Sequence, residues 1–387
     1  MRTHAGPEVR RLIALCGLGL EAVVAAELEA LGARAVVKRR AQVECQGDLA
    51  LLYRANLWLR AASRVLVPVG ECPCAGPDDL YRGIRAMPWP RLIAPEQTLA
   101  VHAAARASWI RNTLWLAQRV KDAIVDAVRD RAGSRPDVDL VDPTVRVHVR
   151  VAEGRAEVAL DSSGAPLHER GWRGRGVEAP LKETLGAGVL ALAGVPADVA
   201  FLDPMCGSGT LPVEHALRIL GRAPGERRRF ACERWLGADT ALFRRLRDDA
   251  RPPAPASLPL VLGYDADRHA VDAARENVGV ADLEGVVRIE RRPLDELEPP
   301  APRGALVCNL PYGIRLGDEA SLAPLYEQLG GILKHRFGGW SAHLLTASAA
   351  LAKRIGLRTE TRQPVWNGDL ECRLLGYALY VRRTAPG

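Results

Sequence analysis

The sequence predicts a chain of mixed α/β class in two parts, an N-terminal α+β region and a C-terminal Rossmann-like domain. Three observations carry this. Short apolar runs and amphipathic runs alternate through residues 1–70 as strand–helix–strand–strand–helix–strand, a ferredoxin-like order. "TVRVHVRVAEGRAEVALD" (144–161) places valine at every second position, the pattern of a half-covered hairpin. "VAFLDPMCGSGTLPVEHALRIL" (199–220) runs an apolar strand into a glycine turn and then a helix, the opening of a Rossmann-like unit.

Within residues 1–70, "RLIALCG" is a short apolar strand. "LEAVVAAELEALG" follows with Leu20, Val23, Val24, Glu27, Leu28 and Leu31 at helical spacing and Gly32 as its stop. "ARAVVKRRAQVEC" predicts a second strand or hairpin, and Asp48 is placed to cap the helix of "LALLYRANLWLRAASRV". Residues 71–165 repeat the mixed character, with a long amphipathic helix in "NTLWLAQRVKDAIVDAVRDRAG" ending at Gly133. The hairpin that closes this region carries Arg146, His148 and Arg150 on one face. That face suits phosphates, and it equally suits the solvated charge of an edge strand. Residues 166–180, "PLHERGWRGRGVEAP", lack apolar periodicity and read as a connection to the second half, 181–387.

At 387 residues the chain has room for two or three domains, each with its own core. Its apolar runs fall short of the roughly 20 residues that span a bilayer, and its basic N-terminus soon acquires acids. A cytoplasmic protein without membrane contact is expected. The formal net charge is +7, and only five of the 53 basic residues are lysine, a balance that favours a polyanionic partner. The eight cysteines form no C-x-x-C pair, and "CPC" at 72–74 has no second pair at finger spacing, so neither disulfides nor a metal site is expected.

The glycine turn at 199–220 narrows the cofactor. A phosphate-binding P-loop would need Gly-Lys-Ser/Thr, which is absent. A nicotinamide dinucleotide would want a third glycine where Pro212 stands, and an acid some 20 residues on. The next acid at a strand end is instead the distant Asp265 of "LPLVLGYDAD". An acid at the first strand end, Asp203, opposes a pyrophosphate but suits S-adenosylmethionine, whose head carries an ammonium and a sulfonium. Asp203, Pro204, Cys206, Gly207, Gly209 and Thr210 then form the cofactor turn, with Asp265 on the ribose hydroxyls. Further on, the apolar run "GALVC" leads into "NLPYG", placing an amide, a proline and an aromatic ring together at a strand end.

"DPMCGSGT", "GYDAD" and "NLPYG" occur in the order of motifs I, II and IV of Rossmann-fold methyltransferases. With "YRANLWLRAASRVL", "LHERGWR", "APLKETLGAGVL" and "WNGDLECRLLGY", the chain resembles the THUMP-containing guanine-N2 methyltransferases over almost its whole length, particularly the RlmL-like enzymes of large-subunit ribosomal RNA. The resemblance implies a ferredoxin-like unit over 1–70, a THUMP RNA-binding region over 71–165 and a class I methyltransferase over 181–387. It implies methyl transfer from S-adenosylmethionine to the exocyclic N2 of a guanosine in 23S ribosomal RNA. Arg146, His148 and Arg150 would contact RNA, and Asn309 would border both cofactor and base. Two positions depart from the family pattern. Leu310 stands where motif IV usually has a proline, and Pro293, with Asp295 two residues later, stands where the third strand usually ends in an acid.

The chemistry accounts for the four residues of motif IV. An exocyclic base amine is a weak nucleophile because its lone pair is delocalised into the ring. The Asn309 side-chain carbonyl and the Leu310 main-chain carbonyl can accept its two hydrogens and favour a pyramidal nitrogen. Pro311 stiffens the turn, and Tyr312 can stack on the extruded base. The proton leaves after transfer, when the nitrogen is cationic, so no strong base is needed. In isolation, Asn309 could equally be a helix cap and Tyr312 a core aromatic; the register with motif I favours the chemical reading.

Cys206 and Cys308 are expected to be structural, since 5-methylcytosine chemistry would need a Pro-Cys or Thr-Cys near the site. Glu214 and His215 are expected to be packing and surface groups. The arginines of 225–235 and 241–253 are expected at solvated faces, with some phosphate contact. A tRNA guanine-N2 methyltransferase and a non-catalytic RNA-binding or ribosome assembly factor are the competing functions.

Overall fold

Alternating apolar and polar positions fold the first part of the chain into one sheet. A computed structural model describes residues 9–106, 109–174, 181–312 and 318–380. The strands of this sheet are β1 (Arg10–Cys16), β2 (Arg34–Arg39), β3 (Gln42–Gly47), β4 (Ala62–Pro73), β5 (Thr98–Arg106), β6 (Asp137–Val138), β7 (Val145–Ala152) and β8 (Arg155–Asp161), in the order β2-β3-β1-β4-β8-β7-β5-β6. Helices α1 (Glu21–Ala30), α2 (Leu49–Trp58), α3 (Pro77–Arg85) and α4 (Thr113–Ala132) intervene. The expected caps form. The Asp48 carboxylate accepts from Leu51 N at 2.8 Å, and Gly133 ends α4 with φ of +76°.

Val145, Val147, Val149 and Val151 are buried against α3 and α4, which leaves Arg146, His148 and Arg150 on the opposite face. Strand β7 lies between β5 and β8, so these are not edge-strand charges, and the edge-strand alternative falls. His148 stacks on His102 with ring centroids 4.7 Å apart, and its Nε2 lies 3.3 Å from the fully buried Asp161. Arg150 pairs with Glu157 at 3.1 Å.

The second sheet comprises β9 (Ala200–Asp203), β10 (Val261–Asp265), β11 (Val287–Arg291), β12 (Gly304–Asn309), β13 (Trp340–Thr346), β14 (Thr361–Asn367) and β15 (Leu370–Ala378), in the order β11-β10-β9-β12-β13-β15-β14. Its first five strands in that order are parallel, and the β14–β15 hairpin is antiparallel. Helices α5 (Glu183–Leu192), α6 (Thr210–Ile219), α8 (Arg268–Val280), α9 (Asp318–Arg336) and α10 (Ala349–Arg354) accompany it, and α7 (Thr240–Asp248) precedes β10 in the chain. A core of Leu202, Leu306, Cys308, Tyr326, Leu333, Trp340 and Leu344, among others, holds the helices to the sheet. Strand order reverses beside β9, which opens a crevice at the carboxyl ends of β9 and β12.

Contacts divide the chain into two units that do not follow sequence order. One gathers Ala25–Leu167 and Arg228–Asp249 with the start of the chain; the other gathers Cys16–Val24, His168–Arg227 and the residues from Ala250 on. The reason lies in the side chains of the inserted segment. Phe243 meets Tyr53 edge-on at 4.9 Å, and Arg228 donates to the carbonyls of Ala165 and Pro166 at 2.7 and 2.9 Å. Of the arginines expected on solvated faces, Arg228 is therefore an internal brace, and Arg234 and Arg247 are partly exposed ones. Arg247 donates to Glu233 and to the Arg228 carbonyl, and Arg234 pairs with Asp142.

Candidate cofactor and base site

Strand β9 is buried along its length and ends at Asp203, which is 2% exposed. The chain then turns through Gly207 and Gly209, at φ of +53° and +82°, conformations that glycine adopts without the Cβ penalty. The Asp203 carboxylate accepts from Met205 N at 3.2 Å, and Asp265, at the end of β10, accepts from Gly207 N at 2.9 Å. Two carboxylates thus face one glycine turn. Burial, with the Asp265 charge adding to it, pushes the Asp203 carboxyl up to about 8 against the pull of the Met205 N–H. A cation beside Asp203 would relieve that cost, so the site fits a cofactor with a cationic, hydroxyl-bearing head. Pro204 and Cys206 are buried in the turn, and Thr210 opens α6.

The segment read as a connection holds this turn in place. The Arg173 guanidinium donates to Glu183 at 2.7 Å, Ser208 Oγ at 2.9 Å, Thr210 Oγ1 at 3.0 Å and the Leu181 carbonyl at 3.1 Å. Asn277 of α8 accepts from Gly174 N at 2.7 Å and donates to the Ser208 carbonyl at 2.9 Å. Arg170 is buried against Glu214 at 3.2 Å. Residues 170–174 are therefore part of the second unit, a correction to the expected connection at 166–180; residues 175–180 lie outside the described residues. Glu214 and His215 are both buried rather than at the surface, and His215 stacks on Phe201 at 4.3 Å. Arg173, Ser208 and Asn277 were missed, since the only sequence signal is a Gly-Trp-Arg-Gly run far from the motif it braces.

Motif IV lies at the end of β12. The Leu310 N–H donates to the Leu345 carbonyl at 3.0 Å and the Leu310 side chain is 1% exposed. The departure from the usual proline is thereby explained: Leu310 gives a sheet hydrogen bond that a proline lacks the hydrogen to make. The Pro311 carbonyl accepts from Tyr326 OH at 3.0 Å. The half-buried Tyr312 has its hydroxyl fixed by Asn367 Nδ2 at 3.0 Å, which orients the ring. The Asn309 Oδ1 atom is buried and has no hydrogen-bond donor among the described residues. An acceptor left open in this way is free to receive a donor from a bound ligand. Residues 313–317 lie outside the described residues.

Burial holds the Cys206 and Cys308 thiols well above their usual range, which fits structural thiols and not a thiolate nucleophile. At the end of β11, Pro293 leads into a 3-10 turn, Leu294–Glu296. The Asp295 side chain is exposed there and its main-chain carbonyl accepts from Arg336 at 2.7 Å. Among the described residues, no helix is long and apolar enough to cross a membrane, and no group of His, Cys, Asp and Glu is placed to hold a metal ion.

Comparison with known proteins agrees with this geometry. Residues 170–375 match the RMKL-like methyltransferase domain, 11–66 the RlmL ferredoxin-like domain and 74–161 the THUMP domain. A Synechocystis sp. protein, slr0064, whose name describes it as an RNA methyltransferase, is 40% identical over 373 residues, covering 96% of this chain and 97% of its own. Ribosomal RNA large subunit methyltransferase K/L of Methylococcus capsulatus is 42% identical over 386 residues; these cover 97% of this chain but 52% of that protein, so the chain spans about half its length. Among solved structures, SMU.472 in complex with SAH superposes with a TM-score of 0.88 at 29% identity, covering 98% of this chain and 100% of that one.

Proposed function

From the premise that the chain belongs to the RMKL-like methyltransferase family, with RlmL ferredoxin-like and THUMP domains, we propose that it methylates the exocyclic N2 of a guanosine in 23S ribosomal RNA. The protein uses S-adenosylmethionine, which when bound supplies the methyl group. Asp203 is the partner for the ammonium of that cofactor and Asp265 for the ribose hydroxyls, while Pro204, Cys206, Gly207, Gly209 and Thr210 shape the turn. Asn309 Oδ1 and the Leu310 carbonyl accept the two hydrogens of the guanine amine and aim its lone pair. Pro311 fixes the turn, and Tyr312, held by Asn367, carries the base on its ring. Positioning of this kind is worth several powers of ten in rate without any proton-transfer residue.

The single observation that carries the reading is the open, buried Asn309 acceptor next to a cofactor turn whose Asp203 carboxyl burial holds in the protonated form until a cation arrives. Arg146, His148 and Arg150, on the sheet face away from α3 and α4, are proposed as RNA contacts. Ribosomal RNA as substrate places the enzyme in the cytoplasm. The test is nucleoside mapping of a deletion strain. One N2-methylguanosine should vanish from 23S RNA and return with wild-type protein but not with Asn309→Ala. Loss of that nucleoside from tRNA instead would move the substrate to the transfer RNAs.

A further inference from the structure

A cavity of about 540 Å³ opens at the carboxyl end of β13, between α10 and the β14–β15 hairpin. Its polar lining is Lys353 from α10, Arg362 from β14 and Arg373 from β15, the hydroxyl residues Thr346, Ser348 and Thr359, and a single carboxylate, Glu371. In sheet order β12 stands between the cofactor carboxylates on β9 and β10 and the cavity on β13, β15 and β14. Thr346, Arg362 and Arg373 share the face of Cys308, whereas Asn309 is on the other face, so the cavity and Asn309 meet around the carboxyl end of the sheet. The cavity is also wired to motif IV. Tyr326 OH lies 3.0 Å from the Pro311 carbonyl and 2.9 Å from Thr346 Oγ1, and Thr346 is a cavity wall. Arg373 pairs with Thr346 at the carboxyl end of β13, and strands stand about 4.8 Å apart, so a strand of RNA that passes over the end of the sheet at Pro311 comes within one nucleotide of the cavity.

The cations are available. Arg362 and Arg373 stand on one face of the hairpin, since Arg362 is opposite Leu375 and Arg373 opposite Pro364. The nearest carboxylate to Arg373 is Glu371 at 3.9 Å, too far for a hydrogen bond. Three cations against one lining acid leave an anion-binding concavity, and arginine's planar fork suits phosphate oxygens; the Ser348 and Thr346 hydroxyls are engaged by Glu319 and Tyr326.

We propose that this cavity is a phosphodiester subsite, holding the RNA backbone beside the target nucleotide and so fixing which base reaches Asn309. This rests on the RNA methyltransferase reading above. The observations favour RNA over an acidic protein segment because the cavity adjoins the base-acceptor turn, where a nucleic-acid strand must pass.

The test measures binding of the full-length protein to a guanine-containing single-stranded oligoribonucleotide as a function of salt, with S-adenosylmethionine affinity as the folding control. The Arg362→Gln/Arg373→Gln variant should bind the oligonucleotide at least about tenfold more weakly, as loss of charged hydrogen bonds predicts. Its log–log salt slope should shrink by about 1.4, at about 0.7 per phosphate contact on a single strand. Arg362→Lys/Arg373→Lys should keep the wild-type slope, and Glu371→Gln should tighten binding. Equal affinity and slope in wild type and the Gln variant, or equal loss in the Lys and Gln variants, would overturn the subsite. Loss of binding to polyglutamate but not to RNA would assign the cavity to an acidic protein segment and overturn it too. Absence of RNA binding by the wild type would instead overturn the RNA reading on which the inference stands.

Discussion

The side-chain amide of Asn367 donates to the hydroxyl of Tyr312 across 3.0 Å, joining the turn of the β14–β15 hairpin to the aromatic ring of motif IV. Burial already raises the Tyr312 phenol above its ordinary range, so the hydroxyl has little water to fall back on. Asn367→Ala removes the donor and releases the ring. A buried hydrogen bond is worth about 1 kcal/mol, so the maximal methylation rate should fall about fivefold to tenfold. Steady-state kinetics with saturating cofactor checks this; an unchanged rate would separate Tyr312 from base positioning.

With Asp203 as the proposed partner of the cofactor's ammonium, cofactor affinity should depend on pH. Its carboxyl is held at about 8 in the folded chain by burial, against an ordinary value of 3.8. Between those values the unfolded chain has lost a proton that the folded chain keeps. The unliganded protein therefore loses stability as pH rises through this window. The ammonium of the cofactor favours the carboxylate, so affinity should climb as pH rises from 6 towards about 8 and then level off. Calorimetry of wild type against Asp203→Asn tests this: the variant should bind weakly and lose the rise, and Asp203→Ala should abolish binding.

Arg170 and Glu214 form an ion pair with side chains 1% and 0% exposed. Removing one partner of such a pair strands a buried charge, at a cost of about 3–5 kcal/mol. Arg170→Met should therefore shift the urea midpoint sharply, and Arg170→Met/Glu214→Leu should recover most of the loss. Additive losses in the double variant would show that the two residues act independently.

Leu310→Pro, which restores the more usual motif, should destabilise this chain. It removes the hydrogen bond to the Leu345 carbonyl and a core side chain, together about 3 kcal/mol or more. Thermal unfolding measures it; a neutral result would mean that β12 and β13 do not need that bond.

The parts of the fold visible in the sequence were those encoded locally. The valine alternation of β7, the Asp48 cap and the glycine turn after Asp203 each depend on neighbours within a few residues. The parts hidden from it depend on distant partners. The Gly-Trp-Arg-Gly run has no periodicity, yet Arg173 and Gly174 reach Ser208 and Asn277. The arginines of 225–253 have the composition of a solvated face, but Arg228, Arg234 and Arg247 spend their guanidinium groups on carbonyls and acids brought close by folding. A fragment beginning at residue 181 would therefore discard Arg170 and Arg173, and with them the brace of the cofactor turn.

The open acceptor of Asn309 is proposed to receive the target amine. The direct measurement is single-turnover methyl transfer to RNA by Asn309→Ala, paired with calorimetry of S-adenosylmethionine binding. Loss of one positioned electrostatic partner predicts a fall in transfer of about 10²-fold or more with cofactor affinity retained. Transfer within a few-fold of wild type, in a variant that still binds cofactor, would contradict it.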